Sequence, residues 1–224
     1  MARALRNLRP TADILYLADA ANAPYGTKRE AELLPLLMHG IEALFARGAD
    51  RVVLACITAS CLYDRLPHAL AERVIPILPF VAEAIADARG HVGMIATEAT
   101  VRSDAFTRAL LRCGCTRPIA RNSAQSLVAL AEAGKTHLSD EGVKEALEGA
   151  ILPLLYRGVD TLVLGCTHFP YFEPAIRSLY GGLKILSPAS IGSAALVRCL
   201  PPEMLNGEGR LVYLVSSYGG ARRR

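Results

Sequence analysis

The 224-residue chain is 52% hydrophobic and 21% charged, which fits a folded globular protein with a real apolar core and excludes an intrinsically disordered one. Its formal charge of +4 includes Arg222, Arg223 and Arg224, a run read as a solvated tail; with five Phe, eight Tyr and no Trp, neither a basic face nor a base-stacking platform for nucleic acid is expected. No stretch approaches the roughly 20 apolar residues of a membrane span, and the N-terminus has no secretory apolar run, so a cytoplasmic protein with reduced cysteines is expected.

In chain order, Ile14–Leu17 reads as a strand. Thr27-Lys28-Arg29-Glu30 fits a capping box, followed by a helix with Leu33, Leu37, Ile41 and Leu44 on one face and Pro35 as a kink. Gly48 ends that helix. Val52–Ala55 then forms a nearly all-apolar strand, the pattern of a parallel strand covered on both faces. Further strands are expected near Val74–Leu78, Val92–Ala96, Leu162–Leu164, Lys184–Leu186 and Leu211–Val215. Helices are expected near Phe80–Ala88, Ser103–Arg112, Ser123–Ala133 and Glu141–Tyr156. This alternation predicts a parallel α/β protein. Two α/β domains are expected: residues 1–79 plus 188–224, and residues 80–187, with the site in the cleft between them.

An internal repeat carries the functional prediction. Phe45-Ala-Arg-Gly-Ala-Asp-Arg-Val-Val-Leu-Ala-Cys56 aligns with Leu155-Tyr-Arg-Gly-Val-Asp-Thr-Leu-Val-Leu-Gly-Cys166 at a constant offset. Arg-Gly-x-Asp and the cysteine coincide in register, which shared apolar character alone does not explain. Ligands of open α/β sheets bind outside the carboxyl ends of the strands, and both cysteines sit there. Two facing domains would bring Cys56 and Cys166 to opposite walls of one cleft, the first followed by Thr58 and Ser60, the second by Thr167 and His168. Two thiols of similar basicity can remove a proton from one face of a carbon and deliver one to the other. The neighbouring hydroxyls and amides would hold a carboxylate, and His168 would set a thiol's protonation or pair with substrate. Of the other cysteines, Cys61 and Cys199 read as structural. Cys113-Gly-Cys115 lacks a second metal-ligand pair, so no metal is expected.

Leu164-Gly-Cys-Thr-His-Phe-Pro170 and Ala55-Cys-Ile-Thr-Ala-Ser60 resemble the two cysteine motifs of glutamate racemases, in the aspartate/glutamate racemase superfamily. Asp13–Asp19, Ala23–Lys28 and Gly93–Thr100 resemble the family's other site segments, so the likeness runs through nearly the whole chain. The resemblance implies a pseudosymmetric two-domain fold and interconversion of L- and D-glutamate for peptidoglycan, without pyridoxal phosphate, metal or other cofactor. By motif position it implies Cys56 and Cys166 as catalytic groups. Tyr25, Gly26, Thr58, Thr167 and His168 would bind substrate, with Thr97 and Glu132 as further candidates, and a homodimer is suggested.

Three departures accompany it. Ala4–Pro10 resembles the helix that follows the family's first strand, so the Asp and Ser of that strand have no counterpart, and unpaired strand edges flanking a groove are expected. A start codon assigned too far downstream, or a patch from another chain, would account for this. Ile57 replaces the Asn beside the first cysteine, predicting a lost substrate hydrogen bond. Leu186–Ser190 lacks the usual Asp-Ser, and the chain ends soon after its last strand. These keep two alternatives open: a two-thiol racemase of another substrate (aspartate, hydantoin or a specialised metabolite), or an impaired homologue with a binding or regulatory role.

Overall fold

The computed structural model describes residues 1–217 and 220–223. Helix α1 (Ala2–Leu8) leads into β1 (Ile14–Ala18), α2 (Glu30–Phe45), β2 (Val52–Leu54), α3 (Ile57–Ser60), α4 (His68–Ala71) and β3 (Val74–Pro76). Next come α5 (Leu78–Asp87), β4 (Val92–Ala96), α6 (Glu98–Arg102), α7 (Asp104–Arg112), β5 (Ala120–Ser123), α8 (Gln125–Glu132) and α9 (Val143–Leu155). The last are β6 (Thr161–Gly165), α10 (Glu173–Leu179), β7 (Lys184–Leu186), α11 (Pro188–Cys199), β8 (Leu211–Ser217) and β9 (Gly220–Arg223). The predicted α/β class with parallel sheets is what forms.

The largest sheet runs β5-β4-β6-β7, all parallel. Every residue of β4 and β6 is buried, and their side chains alternate between two cores. Ile95, Leu162 and Leu164 pack against α8, α9, Phe169 and Phe172. Met94, Ala96 and Val163 face α5 and α7 on the other side. A strand buried on both faces has no polar position to alternate with, which is why both read as continuous apolar runs. At about 2 kcal/mol for each fully buried Leu, Ile or Phe, these two layers hold the strand ends rigidly.

The repeat is visible in the backbone. Gly48 and Gly158 both take positive φ (+87° and +76°), and the following residue's N–H bonds back to Leu44 and Leu154 respectively. Only glycine adopts this left-handed helix stop cheaply, so each repeat ends its helix and turns into a strand at the same place.

The other strands form two smaller sheets. β2 pairs with β3, and β1 pairs with β8, which in turn pairs antiparallel with β9. Among the described residues β1 and β2 share no sheet, and one cavity is lined by the consecutive residues Ala12–Asp19 and Ala49–Cys56. A strand that lines a cavity with every residue, instead of every second one, presents its edge. The expected groove between unpaired edges is therefore present.

Several elements differ from expectation. The α2 cap is Arg29, not Thr27: the Arg29 N–H donates to Glu32, while the Thr27 hydroxyl donates to the Pro24 carbonyl. β5, for which no strand is predicted, pairs with β4 through a polar Ala-Arg-Asn-Ser edge that no apolar pattern could flag. The Pro- and Ser-rich stretch after β7 opens α11, with Pro188 in its first turn, where its missing N–H costs nothing. The backbone of Arg222 and Arg223 belongs to β9; the solvated-tail reading concerns side chains outside the described residues, as does Arg224. No helix among the described residues is long and apolar enough to cross a membrane.

Candidate active site

Strand register builds half of the site. Ala96 pairs with Gly165, so the next residues, Thr97 and Cys166, emerge side by side at the carboxyl end of the main sheet. Cys56 occupies the same place after β2, at the start of α3. Ala18 pairs with Val215, which sets Asp19 beside Ser216; the Ser216 hydroxyl donates to the Asp19 carboxylate. These strand ends converge on a cavity of about 800 Å³.

Its walls include Cys56, Thr58, Tyr25 and Gly26 from one set of elements, and Thr97, Cys166, Thr167 and His168 from another. Eight of the nine sequence-predicted residues thus reach one cavity. The ninth, Glu132, does not line it but accepts a hydrogen bond from His168 Nε2 at 2.7 Å.

The two thiols differ in environment. Cys166 is 7% exposed, and its thiol is pushed up to about 12, first by burial and next by the negative charge of Cys56. Bonds from the His168 and Thr167 N–H groups and the Thr167 hydroxyl act in the opposite direction. Cys166 therefore rests as a thiol at neutral pH. Its Sγ lies 3.5 Å from His168 Nδ1. Because Glu132 takes the proton on Nε2, Nδ1 is left as an acceptor, and the Cys166 S–H can donate to it. Cysteine, imidazole and carboxylate form one chain.

On the Cys56 side, three hydroxyls meet in a triangle. Thr58 Oγ1 lies 3.0 Å from Thr97 Oγ1 and 3.0 Å from Thr100 Oγ1, and the Thr97 hydroxyl donates to Thr100 at 3.1 Å. All three residues are at least 96% buried. Tyr25 donates its phenol proton to Asp19 at 2.6 Å, and burial together with that bond holds the phenol above its usual value. Gly26 is pressed against the opposite wall: a Cβ there would stand 2.5 Å from Thr97 Cβ, so only glycine lets the Tyr25 turn close onto α6.

One expectation is corrected. The Ser60 hydroxyl does not face the cavity; it donates to the Leu54 carbonyl at 2.8 Å and accepts from the Ile77 N–H, joining β2 to β3. Ile57 is 1% exposed and packs with Ile77, Val81 and Phe106 in the apolar core, offering the cavity no hydrogen bond. Its aliphatic side chain belongs where it points. Asp19 and Thr100 were missed as site residues. Asp19 was findable as the first polar residue after β1, whereas Thr100 needed the α6 turn that folds it back onto Thr97. Among the described residues no group of three or more His, Cys, Asp or Glu is placed to hold a metal ion.

The chain is similar to known racemases in both sequence and fold. The family model for Asp/Glu/Hydantoin racemase matches residues 1–196. A glutamate racemase from Ralstonia nicotianae is 39% identical over 210 residues, covering 92% of this chain and 75% of the relative. The solved glutamate racemase from Thermus thermophilus, in complex with β-chloro-D-alanine, superposes with a TM-score of 0.78 at 29% identity. That match covers 97% of this chain and 82% of the other. A glutamate racemase isoform from Bacillus anthracis gives 0.83 at 26% identity, covering 98% and 84%.

Proposed function

Since the chain belongs to the Asp/Glu/Hydantoin racemase family, we propose that it interconverts L- and D-glutamate by passing protons between Cys56 and Cys166, supplying D-glutamate for peptidoglycan. The observation that carries the reading is the pair of thiols on one cavity, with an imidazole and a carboxylate behind Cys166.

In each turnover one sulfur starts as thiolate and the other as thiol. The thiolate takes the Cα proton: an S–H bond forms, the C–H bond breaks, and the electron pair spreads into the α-carboxylate. The opposing S–H then delivers its proton to the other face of Cα and becomes the thiolate. The two sulfurs have exchanged protonation, and the product is the opposite enantiomer. Proton transfer of this kind calls on the thiols alone, provided that donors stabilise the charge on the carboxylate.

Burial favours Cys166 as the proton-donating thiol. For a reverse turnover to start from the resting Cys166 thiol, its proton passes to His168 Nδ1, where Glu132 stabilises the imidazolium, while Cys56 takes a proton from solvent. The Thr58 and Thr167 hydroxyls are the donors for substrate carboxylate. Ile57, the departure that kept another substrate open, lies in the core, so nothing in the site now favours that alternative.

The test is hydrogen exchange at Cα in deuterated water. Glutamate should incorporate deuterium as the enantiomers interconvert, and both Cys56→Ser and Cys166→Ser should abolish this. Wild-type protein that exchanges no glutamate proton would overturn the proposal.

A further inference from the structure

The hydroxyl triangle contains one member with no direct access to the cavity. Thr58 and Thr97 line it, whereas Thr100 is fully buried behind them. A proton count gives Thr100 a task. The Thr100 N–H and the Thr97 hydroxyl form a reciprocal pair: the amide donates to Thr97 Oγ1 at 3.4 Å, and Thr97 returns its proton to Thr100 Oγ1. When the Thr97 hydroxyl donates to Thr100, the Thr100 proton has Thr58 Oγ1 as its partner at 3.0 Å, a contact in which either oxygen can be the donor. Thr58 then has two directions for its own proton: back to Thr97, closing the ring, or out into the cavity.

We infer that Thr100 is a positioning residue that sets this direction, making Thr58 the outward donor to a substrate carboxylate and keeping Thr97 an acceptor. Without the Thr100 hydroxyl, Thr58 and Thr97 form a single pair in which either can be the donor, and the outward proton has no fixed origin. A hydroxyl that accepts a hydrogen bond is also the stronger donor, so the link from Thr100 strengthens the bond that Thr58 makes to an anion. The triangle joins α3, which follows Cys56, to the start of α6, which follows the strand beside Cys166. The donor is therefore held relative to both thiols. The inference rests on the glutamate racemase reading and adds to it a residue that never touches substrate.

The experiment compares Thr100→Val and Thr100→Ser in the full chain, with separate KM and kcat values for L- and D-glutamate and a thermal unfolding curve for each variant. Valine keeps the shape of threonine and removes the hydroxyl; serine keeps the hydroxyl. Thr100→Val should raise KM roughly 3- to 10-fold with a smaller change in kcat, the size expected for one misdirected hydrogen bond, and Thr100→Ser should restore it. Because Thr100 acts through Thr58, adding Thr100→Val to Thr58→Val should change KM no further. A KM unchanged in Thr100→Val, or raised equally in the Thr58→Val background, would overturn the inference while leaving the racemase reading intact. Wild-type protein inactive on glutamate would instead overturn that reading, and the inference with it.

Discussion

Replacing Glu132 by Gln isolates the charge behind the imidazole. Gln has the same length and can still accept from His168 Nε2, so the neutral ring stays where it is. The imidazolium formed when Cys166 gives up its proton loses its counter-charge. The bond is short, at 2.7 Å, but half of the Glu132 side chain is exposed, so solvent screens it. A buried charge-assisted bond is worth about 1.5–3 kcal/mol, and exposure reduces this to about 1–1.5 kcal/mol. At about 1.4 kcal/mol per decade, kcat/KM should fall roughly tenfold. The equilibrium constant between enantiomers is unity, so kcat/KM must fall by the same factor from either side, although kcat need not. Polarimetric initial rates with L- and D-glutamate measure both. Values within about twofold of wild type, in a protein that melts normally, would refute the Cys166–His168–Glu132 chain, as would Glu132→Ala being milder than Glu132→Gln.

Two further outcomes follow from the burial of particular groups. Ile57→Asn should not improve glutamate turnover; it places an amide in the apolar core beside Val81 and Phe106, costing about 4 kcal/mol, and should appear as a large fall in melting temperature. A well-folded, more active variant would show that the side chain faces substrate after all. Cys166 has a folded value raised above its unfolded one, so its contribution to stability is intact below about pH 9 and is lost as pH rises toward about 12. Chemical denaturation across that range should show a fall in stability that Cys166→Ser lacks. An identical pH dependence in the two proteins would place the thiol in a wetter site.

Much of this protein was determined locally. Apolar runs gave the central strands β4 and β6 because both of their faces are buried, and Gly48 and Gly158 marked the helix stops because left-handed backbone strongly favours glycine. The paired cysteines followed from the repeat, since equivalent backbone puts equivalent residues at strand ends. Other features depended on contacts that no local pattern encodes. β5 is polar and held by pairing with β4. Ser60 and Thr58 both carry a hydroxyl on the same short helix, yet one ties β2 to β3 and the other reaches the cavity. That Ile57, beside Cys56, packs into the core depends on Ile77, Val81 and Phe106. Glu132 and His168 are 36 residues apart and meet because α8 packs against the Phe169–Phe172 turn that follows β6. The sequence alone pointed to most of the side chains gathered at the cavity, Asp19 and Thr100 excepted. Tertiary structure decided which way each one points, because direction is set by neighbours distant in the chain.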